Sequence, residues 1–205
     1  MEVYDAEIIL RQGSTIMDSV EIFNCSQIDT FKAALRFQSA STLQSSVTNS
    51  AIHNGFAWGL YITASANIVI KDNIFFRFRP IGAGIMSSRN IIFDNNVVGG
   101  IVDRTTLETG DKLVDKAGGV SVCAYQEGDT QCQNIKVRNN IVGGAVYGGF
   151  VTIGHACGDY SSQFEGNVAH SIRGFKSGNG LYFKNHPNHA ECVEYSNFFA
   201  YKCYY

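Results

Sequence analysis

One short pattern returns along the chain: an apolar residue, an outward residue, a small polar residue, an asparagine, then an apolar pair. It reads Ile70-Lys71-Asp72-Asn73-Ile74-Phe75, then Phe93-Asp94-Asn95-Asn96-Val97-Val98. It returns as Val137-Arg138-Asn139-Asn140-Ile141-Val142 and as Phe164-Glu165-Gly166-Asn167-Val168-Ala169. Weaker copies stand at Ile22-Phe23-Asn24-Cys25, Val47-Thr48-Asn49-Ser50 and Tyr195-Ser196-Asn197-Phe198-Phe199. A second β-rich unit follows a glycine or alanine between copies, as in Gly59-Leu60-Tyr61-Ile62, Gly119-Val120-Ser121-Val122 and Gly180-Leu181-Tyr182-Phe183. The two series interleave along the whole chain.

Spacing fixes the architecture. Ser50 to Asn73 and Asn73 to Asn96 are 23 residues each, Asn140 to Asn167 is 27 and Asn167 to Asn197 is 30. Asn96 to Asn140 is 44 but holds one second-type strand, so that coil carries insertions, the larger being the polar stretch Val102 to Lys116. Periods of this size, with strands and no helical pattern, specify a β-solenoid. The leucine register of a leucine-rich repeat is absent, and a propeller needs about twice the period. The expected fold is all-β: a single-stranded right-handed parallel β-helix of the pectin-lyase-like kind, six to seven coils, spanning residues 1–205 as one segment.

In such a spiral each coil lies on the next at about 4.8 Å, so equivalent residues form columns. Ile70, Phe93, Val137 and Phe164 form an inward apolar column. Asn73, Asn96, Asn140 and Asn167 form a ladder at a bend, where asparagine tolerates left-handed backbone and its amide can donate to one neighbouring coil and accept from the other. Lys71, Asp94, Arg138 and Glu165 share one outward position with alternating sign. They read as an exterior salt-bridge ladder, each exposed pair contributing roughly 0.2–1 kcal/mol, rather than as a ligand strip.

Composition narrows the function. With 16 Lys+Arg against 18 Asp+Glu the formal charge is −2, which leaves no basic surplus for a phosphate backbone, so no nucleic-acid partner is expected. No stretch approaches the roughly 20 apolar residues of a membrane span. Met1 to Asp5 has neither the basic nor the apolar region of a secretory signal. The chain ends at Cys203-Tyr204-Tyr205 within an aromatic pattern, which we read as the edge of a fragment.

Val20-Glu21-Ile22-Phe23-Asn24-Cys25-Ser26-Gln27, followed by Ala33-Ala34-Leu35-Arg36-Phe37, resembles the β-helix of the fibrocystin and fibrocystin-L family. So do Ser45 to Gly55 with Trp58-Gly59, Phe164 to Ser171, and Gly178-Asn179-Gly180-Leu181-Tyr182-Phe183. The likeness runs from about residue 20 to the end and touches, more distantly, the cell-surface hyaluronidases. It implies one piece of a very large secreted or single-pass cell-surface protein, often associated with cilia. The function it implies is structural and adhesive: a rigid rod segment presenting loops. The partners it implies are flanking coils or domains of the same chain, and other cell-surface or ciliary-coat proteins or glycans. Any membrane anchor would lie elsewhere in the parent.

An extracellular parent also implies disulfides. Cys123 and Cys132 bracket the turn Glu127-Gly128-Asp129 and could be stapled; Cys157 and Cys192 could pair; connectivity stays open. Asn24-Cys25-Ser26 matches the glycan acceptor pattern, at a bend where the side chain could instead point inward.

Many β-helices act on acidic polysaccharides, so a hydrolase or lyase on a glycan such as hyaluronan is the alternative function, and a non-catalytic glycan-binding module the second. Catalysis would need clustered carboxylates. Asp72 stands alone in its column, Asp94 lies between Lys71 and Arg138, and Asp103 and Asp111 sit in the insertion; no catalytic set is assigned. His186 and His189 with Cys192 and Cys157 fall short of a convincing zinc site. His53, His155 and His170 are scattered over separate coils. No metal and no cofactor are expected. Gly82-Ala83-Gly84 and the Gly-Gly pairs lack the Lys-Ser/Thr of a phosphate loop and read as tight turns. Phe75, Phe76 and Phe78 alternate with Arg77 and Arg79, which could stack on sugars but more simply places phenylalanines in the core.

Overall fold

The computed structural model describes residues 6–27, 32–40, 43–102, 118–124, 132–152, 155–156, 161–174, 178–183, 191–192 and 194–204. Alternation of apolar and polar residues makes strands of two to six residues, and left-handed corners end them. Three parallel sheets result, each seven strands deep. The first holds Ile8–Leu10, Leu35–Gln38, Leu60–Thr63, Ile81–Met86, Gly118–Val122, Gly148–Thr152 and Asn179–Phe183. The second holds Ile16–Asp18, Ser45–Thr48, Ala66–Lys71, Arg89–Asp94, Gln133–Arg138, Gln163–Glu165 and Tyr195–Ser196. The third holds Glu21–Phe23, Ala51–His53, Ile74–Phe76, Val97–Gly99, Ile141–Gly143, Val168–His170 and Phe199–Tyr201. The chain visits the sheets in turn, so every ladder neighbour belongs to the coil before or after. The result is the parallel β-helix that the repeat specifies.

The repeat motif is itself a corner, with one half closing the second sheet and the other half opening the third. Ile70 pairs with Phe93, Phe93 with Val137 and Val137 with Phe164, and all four are buried. Leu60, Ile85, Val120 and Phe150 close the core from the first sheet, and Phe75, Val98 and Val142 from the third. Phe75 stacks on Phe93 across the core, with ring centroids 6.1 Å apart. At roughly 25 cal/mol per Å² of apolar surface removed from water, burial of this column is the main stabilising term. Each coil alone lacks the second layer it needs.

Gly100 and Gly144 are left-handed turn residues at strand ends, but the other glycine-rich stretches correct the reading of tight turns. Gly82 and Gly84 lie within the strand Ile81–Met86, and Gly119 within Gly118–Val122. A Cβ on Gly82 would stand 2.3 Å from Val98 Cγ1, and one on Gly119 2.1 Å from Val142 Cγ1. These glycines admit side chains from the facing sheet. Gly84 instead faces outward, under Trp58, where a Cβ would meet the indole at 2.5 Å. Trp58 caps a small outer cluster with Ala33, Ala57, Ile81 and Met86, and Tyr61 packs against it.

Candidate functional site

The corner between the second and third sheets concentrates the polar side chains that the repeat picks out. Asn73 Nδ2 donates to Asn96 Oδ1 at 3.0 Å, Asn96 Nδ2 to Asn140 Oδ1 at 3.1 Å, and Asn140 Nδ2 to Asn167 Oδ1 at 3.0 Å. Each amide also donates to a backbone carbonyl of the preceding coil: Asn73 to Val47, Asn96 to Ile70, Asn140 to Phe93 and Asn167 to Val137. Each Oδ1 further accepts a backbone N–H, as Asn96 Oδ1 does from Asn73 N at 3.0 Å. Ser50 closes one end, its N–H donating to Asn73 Oδ1 and its Oγ accepting from Val20 N. The ladder asparagines are buried, so each bond satisfies a group that water cannot reach.

The left-handed residue is not the ladder asparagine but the one before it. Positive φ falls at Asn49, Asp72, Asn95, Asn139, Gly166 and Asn197. A corner that turns the chain inward needs the strained residue outside and the hydrogen-bonding residue inside, so the two roles separate. The outer residues carry a ladder of their own. Asn95 Nδ2 donates to Asp72 Oδ1 at 2.6 Å, Asn139 Nδ2 to Asp94 Oδ1 at 3.0 Å, and Asn49 Nδ2 to Asp18 Oδ1 at 2.8 Å. Hydrogen bonds from Thr48 and then Asn49 hold the Asp18 carboxyl below the usual range.

Lys71, Asp94, Arg138 and Glu165 are register partners on successive coils. Arg138 Nη2 reaches Asp94 Oδ2 at 3.1 Å. Lys71 Nζ lies 3.9 Å from Asp72 of its own coil, and Glu165 accepts from Asn197 Nδ2 at 3.4 Å. The alternating column therefore mixes coil-to-coil and within-coil contacts. Asp72 and Asp94, the described acid candidates, are both engaged by the next coil's asparagine. Asp103 and Asp111 lie outside the described residues.

Cys123 and Cys132 are joined by a disulfide, with Cα atoms 6.1 Å apart, and both are buried. The backbone of Cys192 lies in a two-residue antiparallel pairing, in register with that of His155; Cys157, His186 and His189 lie outside the described residues. Cys25 and Cys203 are free thiols, and burial pushes the Cys25 thiol up, away from a reactive thiolate. Among the described residues no three His, Cys, Asp or Glu side chains converge on a metal position. His53 contacts Glu21 at 2.9 Å and stacks on Phe23; His170 stacks on Tyr201 with centroids 5.1 Å apart. Asn24 is exposed, at φ 54°, rather than turned inward. Ser26 of the same tripeptide is buried, its Oγ accepting from Ala57 N at 2.8 Å.

Several functional positions escape sequence reasoning. A serine ladder marks the corner between the first and second sheets: Ser65 N donates to Ser88 Oγ and Ala40 N to Ser65 Oγ, both at 3.1 Å. The 23-residue step from Thr63-Ala64-Ser65 to Met86-Ser87-Ser88 is its signal. Asn67, Asn90 and Asn134 form an outer amide ladder with bonds of 2.9 Å. The third sheet's outer face is the other omission: Ile74, Phe76, Val97, Ile141, Phe199 and Tyr201 are all exposed there.

Comparison with known proteins agrees with this architecture. A family model described as a right-handed β-helix region matches residues 6–194. Fibrocystin of the dog, Canis lupus familiaris, is 27% identical over 171 residues, covering 83% of this chain. The chain spans 4% of that relative's length. No solved structure matches the chain.

Proposed function

The chain belongs to the family of right-handed β-helix regions, and from that premise we propose that it is a non-catalytic structural and adhesive segment of a large cell-surface protein. One observation carries this reading: the polar side chains of the repeat corner are consumed by coil-to-coil bonding. The asparagine ladder runs unbroken from Ser50 to Asn167. Asp72 and Asp94 each accept from the amide of the coil that follows. A general acid or base needs a carboxyl free to reach substrate, and these are tied to the rod.

The likeness to a stretch amounting to 4% of a fibrocystin supports a small part of a long chain as its setting. We read its surroundings as the cell exterior, at a cell or ciliary surface. Its first partners are then flanking coils. Ile8–Leu10 and Asn179–Phe183 end the first sheet, and an open strand edge is a template for another strand. The buried disulfide fits an oxidising compartment, and the exposed Asn24 offers a glycan acceptor there.

The test is incubation of the folded chain with a panel of acidic and neutral glycans, followed by end-product analysis. No cleavage is expected, from the chain itself or from Asp72→Asn and Asp94→Asn. Turnover abolished by either substitution would overturn the scaffold reading. Passage through a secretory pathway adds a second check: a mass shift removed by glycan-releasing enzyme and absent in Asn24→Gln. Imaging of the tagged parent protein tests the surface location.

A further inference from the structure

Resting on the scaffold reading above, we propose that the outer face of the third sheet is a binding strip for a single acidic glycan chain lying along the helix axis. Two outward columns make the strip. One runs Ile74, Val97, Ile141, Val168, Phe199; the other runs Phe76, Gly99, Gly143, His170, Tyr201. Five strands at about 4.8 Å make it about 19 Å long, and columns two residues apart make it about 7 Å wide. A stable protein interface needs about 800 Å² from each partner, which so narrow a ribbon does not supply. An extended peptide would want unpaired backbone at a sheet edge, and four of the five strands are paired on both sides, only Phe199–Tyr201 ending the sheet.

The surface chemistry suits sugar rings. Phe76 is 42% and Tyr201 43% exposed. Between them lie Gly99, Gly143 and His170, and rings cover the two glycines: a Gly99 Cβ would stand 3.5 Å from the Phe76 ring, and a Gly143 Cβ 2.7 Å from that of His170. The rings of Phe76, His170 and Tyr201 offer packing surface to the C–H faces of pyranose rings.

Charge selects the kind of sugar. The corner that ends the third sheet is a column of left-handed residues: Arg77, Gly100, Gly144, Ser171 and Lys202 along this stretch. It carries two exposed cations and no carboxylate, and no carboxylate stands in the two strip columns. Arg77 lies over the Phe76 ring at 5.4 Å, so aromatic platform and positive charge coincide. On the opposite border the charges of Asp72 and Asp94 are offset by cations, Lys71 Nζ at 3.9 Å and Arg138 Nη2 at 3.1 Å. A chain of rings bearing carboxylate or sulfate complements this arrangement.

Calorimetric titration of the full chain with a hyaluronan octasaccharide, a heparin octasaccharide and neutral chitohexaose is the test. At least one acidic probe should bind ten-fold or more tighter than the neutral one, with affinity falling as salt rises. Preference between the two acidic probes identifies carboxylate or sulfate as the charge recognised. The pairs Phe76→Ser/Tyr201→Ser and Arg77→Asn/Lys202→Asn should each lower affinity at least ten-fold. Asparagine keeps the left-handed backbone accessible, and circular dichroism should report wild-type melting for both. No acidic binding by the folded chain, equal binding of the neutral probe, or undiminished binding by folded variants would overturn the strip. A variant pair that unfolds is replaced by Ile74→Ser/Ile141→Ser, for which the same ten-fold loss is expected. A folded chain that neither binds nor cleaves leaves the scaffold reading standing. Binding with cleavage would instead overturn the scaffold reading and leave the strip.

Discussion

Asn96 receives two hydrogen bonds from Asn73 through one oxygen: the side-chain Nδ2 and the backbone N of Asn73 both donate to Asn96 Oδ1 at 3.0 Å. The same side chain donates to Ile70 O at 3.0 Å and to Asn140 Oδ1 at 3.1 Å. One amide therefore joins three coils while satisfying backbone groups at a corner that would otherwise be buried and unpaired. Sequence separations of 23 and 44 residues collapse to a single hydrogen bond each.

Removing that amide is expected to be costly. Asn96→Ala leaves the Asn73 N–H buried without its acceptor, at about 1–3 kcal/mol, and removes three further hydrogen bonds, to Asn73 Nδ2, the Ile70 carbonyl and Asn140 Oδ1, at about 0.5–1.5 kcal/mol each. We expect a total loss of about 3–5 kcal/mol, read from urea unfolding of the variant. Asn96→Ser should recover part of it, because Ser50 serves the equivalent corner on its own coil. A loss below about 1 kcal/mol for the alanine variant would mean that the ladder is incidental to stability.

The outer face of the first sheet gives a test with its own optical signal. A Cβ on Gly84 would stand 2.5 Å from the indole of Trp58, the chain's single tryptophan. Gly84→Ala should displace that buried ring, red-shift its fluorescence and cost about 1–3 kcal/mol through overpacking. Trp58→Leu in the same chain should make the second substitution cheaper than it is alone. Additive costs would argue that the two residues do not touch.

The Cys123–Cys132 disulfide closes a loop with a sequence separation of 9. Loop closure of that length corresponds to about 2–3 kcal/mol of stabilisation. The Cys123→Ser/Cys132→Ser variant should lose about that much in denaturant unfolding, and reducing agent should shift the parent chain but not the variant. Insensitivity of the parent to reduction would contradict the pairing.

Asp18 sets an acid limit. Its folded carboxyl titrates below its unfolded value because Thr48, Asn49 and Ser19 donate to it. A depressed carboxyl contributes stability that is complete above the unfolded value of about 3.9. That contribution disappears as pH falls through the folded value. Melting followed between neutral pH and pH 3 should therefore show a steeper acid decline for the parent than for Asp18→Asn. Identical profiles would show that these hydrogen bonds contribute nothing to folding.

The repeat made the stack, its corners and its inward column legible because period and burial leave marks in residue type. Ile70, Phe93, Val137 and Phe164 could be aligned from spacing alone, and the register places them on one another. What the corner does in detail was not legible, since asparagine serves equally as a left-handed residue and as an inward amide. Only the backbone separates Asn95, at φ 53°, from Asn96. The Ser65–Ser88 ladder is not legible in the sequence because serine is common in any loop. The glycines misled for a different reason: Gly82 and Gly119 are small because of Val98 and Val142 on another sheet, and local sequence carries no trace of that. The exposed strip beside Phe76 could not be told from core by apolarity alone.

Register between coils is tested most directly by paired cysteines on the third sheet, in a chain whose Cys25, Cys157, Cys192 and Cys203 are replaced by serine. Val97 and Ile141 are register partners separated by 44 residues, and Val168 lies one coil further on. A disulfide needs Cα atoms within about 7 Å, whereas two coils put them about 10 Å apart. Val97→Cys with Ile141→Cys should cross-link quantitatively on mild oxidation, and Val97→Cys with Val168→Cys should not. Failure of the near pair in the folded chain, or equal linking of the far one, would contradict the stacked-coil account.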